Sequence, residues 1–257
     1  MIFSLVSGSS GNSTLIVQDN TVILLDCGAS GKKLSLAIES LGIACSSINA
    51  ILLTHEHSDH VMGAGVMSRR FDIPIYATAE TFGAMKTGPI KDENINIISP
   101  GEGICIGDVE AVPFAVSHDA ANPVGFFFDL KEGKFSVLTD TGVITNDIYN
   151  HVKDSKFMIL ESNHDVEMLQ FGGYPFPLKK RILGRTGHLS NNTAAAMSAR
   201  MLENGVERIM LGHLSTENNT PEIAYKTTEN ALSQKGGIVG RDISLSVAKR
   251  YEITRFV

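Results

Sequence analysis

Short apolar runs alternate with turn-forming clusters at the start of the chain. Residues 3–6, 14–17 and 22–25 are apolar, and Ser7-Gly8-Ser9-Ser10-Gly11-Asn12-Ser13 and Asp19-Asn20 lie between them, which predicts a meander of strands. From 32 to 41 the period changes: Leu34, Ala37, Ile38 and Leu41 recur at helical spacing, and Gly42 stands where a C-terminal cap belongs. Ile51-Leu52-Leu53 is too short for a helix and reads as a buried strand that delivers the chain into Thr54-His55-Glu56-His57-Ser58-Asp59-His60. Further strands are expected at 75–77, 95–98, 109–116, 125–130 and 135–139, with few helices among them. After Asp140 the pattern alternates: helix at 147–152, strand at 157–160, helix at 193–202, strand at 208–211, and Pro221 suited to the first turn of a last helix. Strand-rich halves, each closed by helices, predict an α/β protein, an αβ/βα four-layer sandwich of two sheets packed face to face. No fixed-period repeat, low-complexity tract or charged linker marks a boundary, so a single domain over 1–257 is expected.

Composition narrows the class of partner. The hydrophobic fraction of 43% and the charged fraction of 19% are those of a packed globular protein. A net charge of −6 argues against a surface that coats nucleic acid, because counterion release needs broad positive potential, but it leaves room for a local basic groove. The first residues show neither a basic leader nor a membrane span, so a cytoplasmic protein is expected. Cys27, Cys45 and Cys105 are odd in number and far apart; they match no thiolate metal site and read as reduced, small core residues.

Four ionisable groups fall within six positions at His55, His57, Asp59 and His60. On an extended segment residues two apart point the same way, so His55 and His57 can face one cation while a turn at Ser58 carries Asp59 and His60 to another. Three more polar residues also follow apolar strands: His118, Asp140 and His213. Each alone reads equally well as a surface or turn residue; together, strand ends on one edge make a rigid cup.

This constellation resembles the metallo-β-lactamase superfamily, whose His-x-His-x-Asp-His signature is matched in full by residues 55–60, and the resemblance covers nearly the whole chain. It implies the metallo-β-lactamase type of sandwich and two divalent ions, with His55, His57 and His118 on one, Asp59, His60 and His213 on the other, and Asp140 bridging. By ligand type Zn²⁺, Mn²⁺ and Fe suit equally. The chemistry implied is attack of an activated, metal-bridging hydroxide on a phosphoryl or carbonyl centre, with Asp59 assisting deprotonation of the water.

Ser7-Gly8-Ser9-Ser10-Gly11-Asn12, Ser117-His118-Asp119-Ala120-Ala121, Glu161-Ser162-Asn163-His164-Asp165, Gly187-His188-Leu189-Ser190-Asn191 and Gly212-His213-Leu214-Ser215 closely resemble the YycJ (WalJ) family of bacterial DNA exonucleases. That resemblance implies a phosphodiesterase acting on DNA from the 5′ end, with RNA as the alternative polymer and no membrane partner. A broader similarity, to the transfer-RNA 3′-processing nucleases, maps onto Glu161, His188 and His213, but no long substrate-gripping arm follows Asp140. His188 competes with His213 for the last ligand position. Only His213 follows a strong apolar strand, so His188 is expected to be catalytic, donating a proton or binding the scissile phosphate with Glu161 orienting it; the alternative is a histidine that only caps the following helix.

Between Phe171 and Arg185, Lys179, Lys180, Arg181 and Arg185 are interleaved with Phe171, Tyr174 and Phe176 on an otherwise acidic chain. Such a loop offers phosphate contacts and stacking faces, or else is solvated surface whose rings turn inward. Two other function classes stand beside the nuclease. One is a carbonyl hydrolase (lactonase, thioesterase or β-lactamase) using the same hydroxide on a small molecule, and the other a silent metal-binding regulator.

Overall fold

The computed structural model describes residues 1–257. In chain order the elements are β1 (Ile2–Val6), β2 (Ser13–Gln18), β3 (Thr21–Leu25), α1 (Gly31–Ser40), β4 (Ala50–Leu52), α2 (Ser58–Val61), α3 (Ala64–Phe71), β5 (Ile75–Ala77), α4 (Ala79–Ala84) and β6 (Ile95–Ile97). There follow β7 (Ile104–Ile106), β8 (Val109–Ala115), β9 (Val124–Asp129), β10 (Phe135–Leu138), α5 (Asn146–Val152), β11 (Phe157–Glu161), α6 (Val166–Phe171) and α7 (Phe176–Ile182). The chain closes with α8 (Asn191–Glu203), β12 (Arg208–Gly212), α9 (Pro221–Gln234), β13 (Ser244–Val247) and β14 (Thr254–Arg255). The strands form two mixed sheets, ordered β14-β1-β2-β3-β4-β5-β6 and β13-β12-β11-β10-β9-β8-β7. Two compact units share the chain, one holding 1–115, 120–124 and 249–257, the other 116–119 and 125–248.

In the first unit, β1, β2 and β3 make the expected antiparallel meander, and β3, β4, β5 and β6 continue in parallel. β3 is buried at all five positions, as a parallel strand covered on both faces must be. α1 starts at Ser30, whose hydroxyl accepts the Lys33 N–H, and buries Leu34 and Ile38; Gly42 follows at φ +77°, the left-handed cap that favours glycine. The sequence pattern does not foresee α2, α3 or α4. The buried positions of α3 are Ala64, Gly65, Met67 and Ser68, of which only Met67 is a large apolar residue, so no apolar stripe is there to count.

In the second unit β10, β11, β12 and β13 run parallel, which puts their C-terminal ends on one edge. β10 and β11 are buried throughout, and Phe126, Phe128 and Phe135 stack at 5.9 and 5.6 Å between ring centres. Pro221 opens α9 at its first turn, with the Thr220 hydroxyl accepting from Ile223. Cys27 and Cys45 are buried free thiols, but Cys105 is exposed, outward on the short strand β7, and is no core residue.

Candidate metal centre

In the first unit, β4 delivers His55 and His57, and the helical turn α2 carries Asp59 and His60. Their donor atoms fall into two pairs. His55 Nε2 lies 3.1 Å from His57 Nδ1, and His60 Nε2 lies 3.5 Å from Asp59 Oδ2. These spacings are close to about 3.4 Å, the edge of a tetrahedron whose corners lie about 2.1 Å from a central cation. The remaining ring nitrogens are engaged behind the donors. His60 Nδ1 is 2.8 Å from Asp26 Oδ2, which fixes the Nδ1–H tautomer because a carboxylate can only accept, and His55 Nδ1 is 3.0 Å from Thr54 Oγ1. Thr54 also gives its backbone N–H and hydroxyl to Asp26, at 2.9 and 3.0 Å. Asp26 and Thr54 are absent from the site read off the sequence. Asp26 sits at φ +58° after the apolar strand β3, as Asp140 does at φ +57° after β10.

The glycine-rich segment after β1 does more than turn a hairpin. The Asn12 side-chain amide reaches His60 Nε2 at 3.2 Å and Asp59 Oδ2 at 3.4 Å, and its backbone N–H donates to Asp59 O at 2.8 Å. Gly28 is pressed against the same place. A Cβ there would sit 1.7 Å from Asp59 O, so only glycine lets these backbones meet.

In the second unit, His118, Asp140, Glu161, His188 and His213 gather where strands end. Asp140 and His213 both hold left-handed backbone, at φ +57° and +56°, beyond β10 and β12. Asp140, Glu161, His188 and His213 each present a donor atom within 4.8 Å of the others, an arrangement able to hold a cation. Glu161 is fully buried. Its Oε1 accepts from His188 Nδ1 at 2.7 Å and His213 Nδ1 at 2.8 Å, and its Oε2 from the N–H groups of Leu189 and Thr141 at 3.0 and 3.3 Å. Burial alone would raise the Glu161 pKa, but the charge and hydrogen bonds of His188, with the hydrogen bond of His213, bring it down to about 2. Burial likewise pulls His188 down, and the Glu161 charge and hydrogen bond more than reverse it, leaving His188 raised above the ordinary histidine value.

The two competing histidines differ in geometry. With both Nδ1 atoms engaged by Glu161, His213 turns Nε2 toward Asp140, 3.5 Å from Oδ1, and its side chain is 2% exposed. It is the engaged Nδ1 of His188 that lies nearest Asp140, at 3.7 Å, and that side chain is 18% exposed, open to a substrate. His118 Nδ1 lies 3.1 Å from Gly187 O, with Nε2 3.7 Å from Asp140 Oδ1; burial holds its pKa below the usual value, which favours the neutral form that ligation needs. The donor set of imidazoles and carboxylates, with one nitrogen of His55, His60, His118 and His213 held from behind, fits a divalent cation.

Behind this cup lies a buried polar lattice that the sequence does not reveal. Asn219 Nδ2 donates to Ser162 O at 2.8 Å, Asn163 O at 3.1 Å and Asn191 Oδ1 at 2.8 Å, and Asn163 Nδ2 donates to His213 O at 3.0 Å. It ties the segments carrying Glu161, His188 and His213 to one another.

The cationic segment is not a loop. Pro175 and Pro177 start α7 rather than preventing a helix, and α7 buries none of its side chains. Lys179 clamps the carbonyls of Gln170 and Gly172 at 2.8 Å each, and Arg181 pairs with Asp119. Lys180 and Arg185 are exposed and make no ion pair.

The profile of the Beta-lactamase superfamily domain matches residues 21–214. The chain is 39% identical over 238 residues to Exodeoxyribonuclease YycJ of Bacillus anthracis, covering 92% of this chain and 90% of that one. It belongs to the YycJ/WalJ family of metallo-β-lactamase-fold proteins. Exodeoxyribonuclease WalJ of Streptococcus pneumoniae D39 is also 39% identical, over 94% of this chain and 91% of that one. The crystal structure of the metallo-β-lactamase-fold protein YhfI from Bacillus subtilis superposes over 99% of this chain and 98% of that one with a TM-score of 0.71 at 15% identity, a likeness of fold. The α/β fold expected from the sequence, two mixed sheets flanked by helices, is therefore the observed one, and membership in this family makes the chain a metal-dependent hydrolase. No helix is long and apolar enough to cross a membrane.

Proposed function

We propose that the protein is a cytoplasmic DNA exonuclease that removes nucleotides from 5′ ends with two divalent ions, Zn²⁺ or Mn²⁺ with Fe as the third choice, the whole of 1–257 acting as one catalytic domain. The observation that carries this reading is 39% identity across more than nine-tenths of the chain to proteins named as exodeoxyribonucleases. His55, His57 and His118 would hold one ion and Asp59, His60 and His213 the other, with Asp140 as a further ligand. The pairing of His55 with His57 and of Asp59 with His60 supports that division. When bound, the metal pair activates water and offsets charge on the scissile phosphate.

The chain's own residues supply the rest. Asp59 accepts a proton from the attacking water. His188, whose Nδ1 meets Glu161 and whose pKa that carboxylate raises, gives the proton on Nε2 to the departing oxygen or binds the phosphate through it. Lys180 and Arg185, both without ion pairs, take backbone phosphates, while Lys179 and Arg181 fix α7 in place beside them.

The test is a panel: purified protein with DNA labelled at either end, RNA and a chromogenic ester, each with Mn²⁺, Zn²⁺ or chelator. Chelator-sensitive loss of a 5′ label as the first product supports the reading. Hydrolysis of the ester with every nucleic acid intact would make the protein a carbonyl hydrolase instead.

A further inference from the structure

Two phenylalanines of the second unit are turned to solvent, Phe171 at 86% and Phe176 at 77% exposure. Phe171 ends α6 and Phe176 begins α7 five residues later. Seven residues are too few for a helix to persist on its own in water, and α7 buries none of its side chains. It is held instead by the Lys179 clamp on Gln170 and Gly172, by the Arg181 pair with Asp119, and by the N–H of His188 on the carbonyl of Ile182 at 3.0 Å. Phe176, Lys180 and Leu183 stand at i, i+4 and i+7 on one face, and all three are exposed. Rings kept out of the core beside unpaired cations, on a helix braced from below, make a surface that is unfavourable alone and suited to an occupant.

We propose that Phe171 and Phe176 form a stacking platform for the bases of a single-stranded DNA end, with Lys180 and Arg185 on its phosphates. This rests on the nuclease reading above. Every nucleobase has a π face, so an aromatic platform takes any sequence, but a duplex keeps its bases stacked on one another and cannot offer them. Charge complementarity selects a polyanion, and the His188–Ile182 hydrogen bond places the end of α7 against the histidine assigned to the chemistry. The platform therefore leads a frayed or single-stranded end directly to that residue and explains why the rings are not buried.

The chain contains no tryptophan, so Phe176→Trp creates a single fluorescent reporter. In the full-length, metal-free protein, a 20-nucleotide oligo-dT should quench it at far lower concentration than a 20-base-pair blunt duplex. Phe171→Leu with Phe176→Leu keeps apolar area and removes the rings; it should weaken oligo-dT binding about tenfold or more, and Phe171→Tyr with Phe176→Tyr should restore it. The leucine variant should melt as the wild type does, because both positions are exposed. Oligo-dT binding unchanged in that variant, while the wild type degrades DNA, would reject the platform and leave the nuclease reading intact. Failure of the wild type to bind or cut any DNA would remove both. Reporter changes that follow protein concentration alone, or that come from phosphatidylglycerol vesicles and not oligo-dT, would assign the face to a second copy or to a lipid surface and overturn the proposal.

Discussion

Glu161 Oε1 accepts the Nδ1–H of His188 at 2.7 Å, and the same oxygen receives His213 at 2.8 Å. One buried carboxylate thus sets the tautomer of a histidine assigned to chemistry and of one assigned to metal. Glu161→Gln keeps the shape and removes the charge. The DNA-cleavage rate should fall by roughly 10²–10⁴-fold, the range of a lost general acid, and metal affinity by roughly 10–100-fold. Because Glu161 raises the His188 pKa, the alkaline limb of the pH–rate profile should move to lower pH in the variant. A profile unchanged in position would show that His188 does not carry the transferred proton.

His188 and His213 should separate under substitution. His188→Ala should retain its metal, measured by mass spectrometry under native conditions, and lose cleavage. His213→Ala should lose one ion. The reverse pattern would exchange their roles.

Lys180 and Arg185 are exposed cations without ion pairs, so replacing both with alanine should weaken DNA binding and flatten its dependence on salt. At roughly 0.7 per phosphate contact on a single strand, the slope of log K against log salt should shrink by about 1.4. Lys179→Ala and Arg181→Ala should instead loosen α7, seen as faster amide exchange from 176 to 182. Equal slopes in wild type and double variant would exclude both residues from the phosphate path.

The candidate metal cluster is legible in the sequence because its residues follow apolar strands: His55 to His60 after β4, His118 after β8, Asp140 after β10 and His213 after β12. Its supports are not. Asp26 meets His60 across 34 residues, and Asn219 meets Asn163 and Asn191 across 56 and 28, distances at which no local pattern speaks. α7 reads as a loop in the sequence because two prolines and three cations mask a helix that has no buried face to betray it.

His164 is buried, and neither of its ring nitrogens has a hydrogen-bond partner. Burial pushes its pKa down to about 4. The folded state therefore resists a proton that the unfolded chain takes up at about 6.5. The sign follows: this contribution to stability is whole above about 6.5, declines as the pH falls toward 4, and amounts to about 3 kcal/mol once lost. His164→Leu should lower the pH of acid unfolding in metal-free protein while leaving the midpoint at pH 8 little changed. Coincident acid transitions would contradict this origin.

Cleavage of DNA should require two ions on one chain. Its most direct measurement is the rate of release of a 5′ label as metal is added stepwise to metal-free protein, with bound ions per chain counted in the same samples. Little cleavage is expected at one ion per chain, with a maximum at two. A full rate at one ion per chain, or cleavage that persists in chelator with no ion bound, would contradict it.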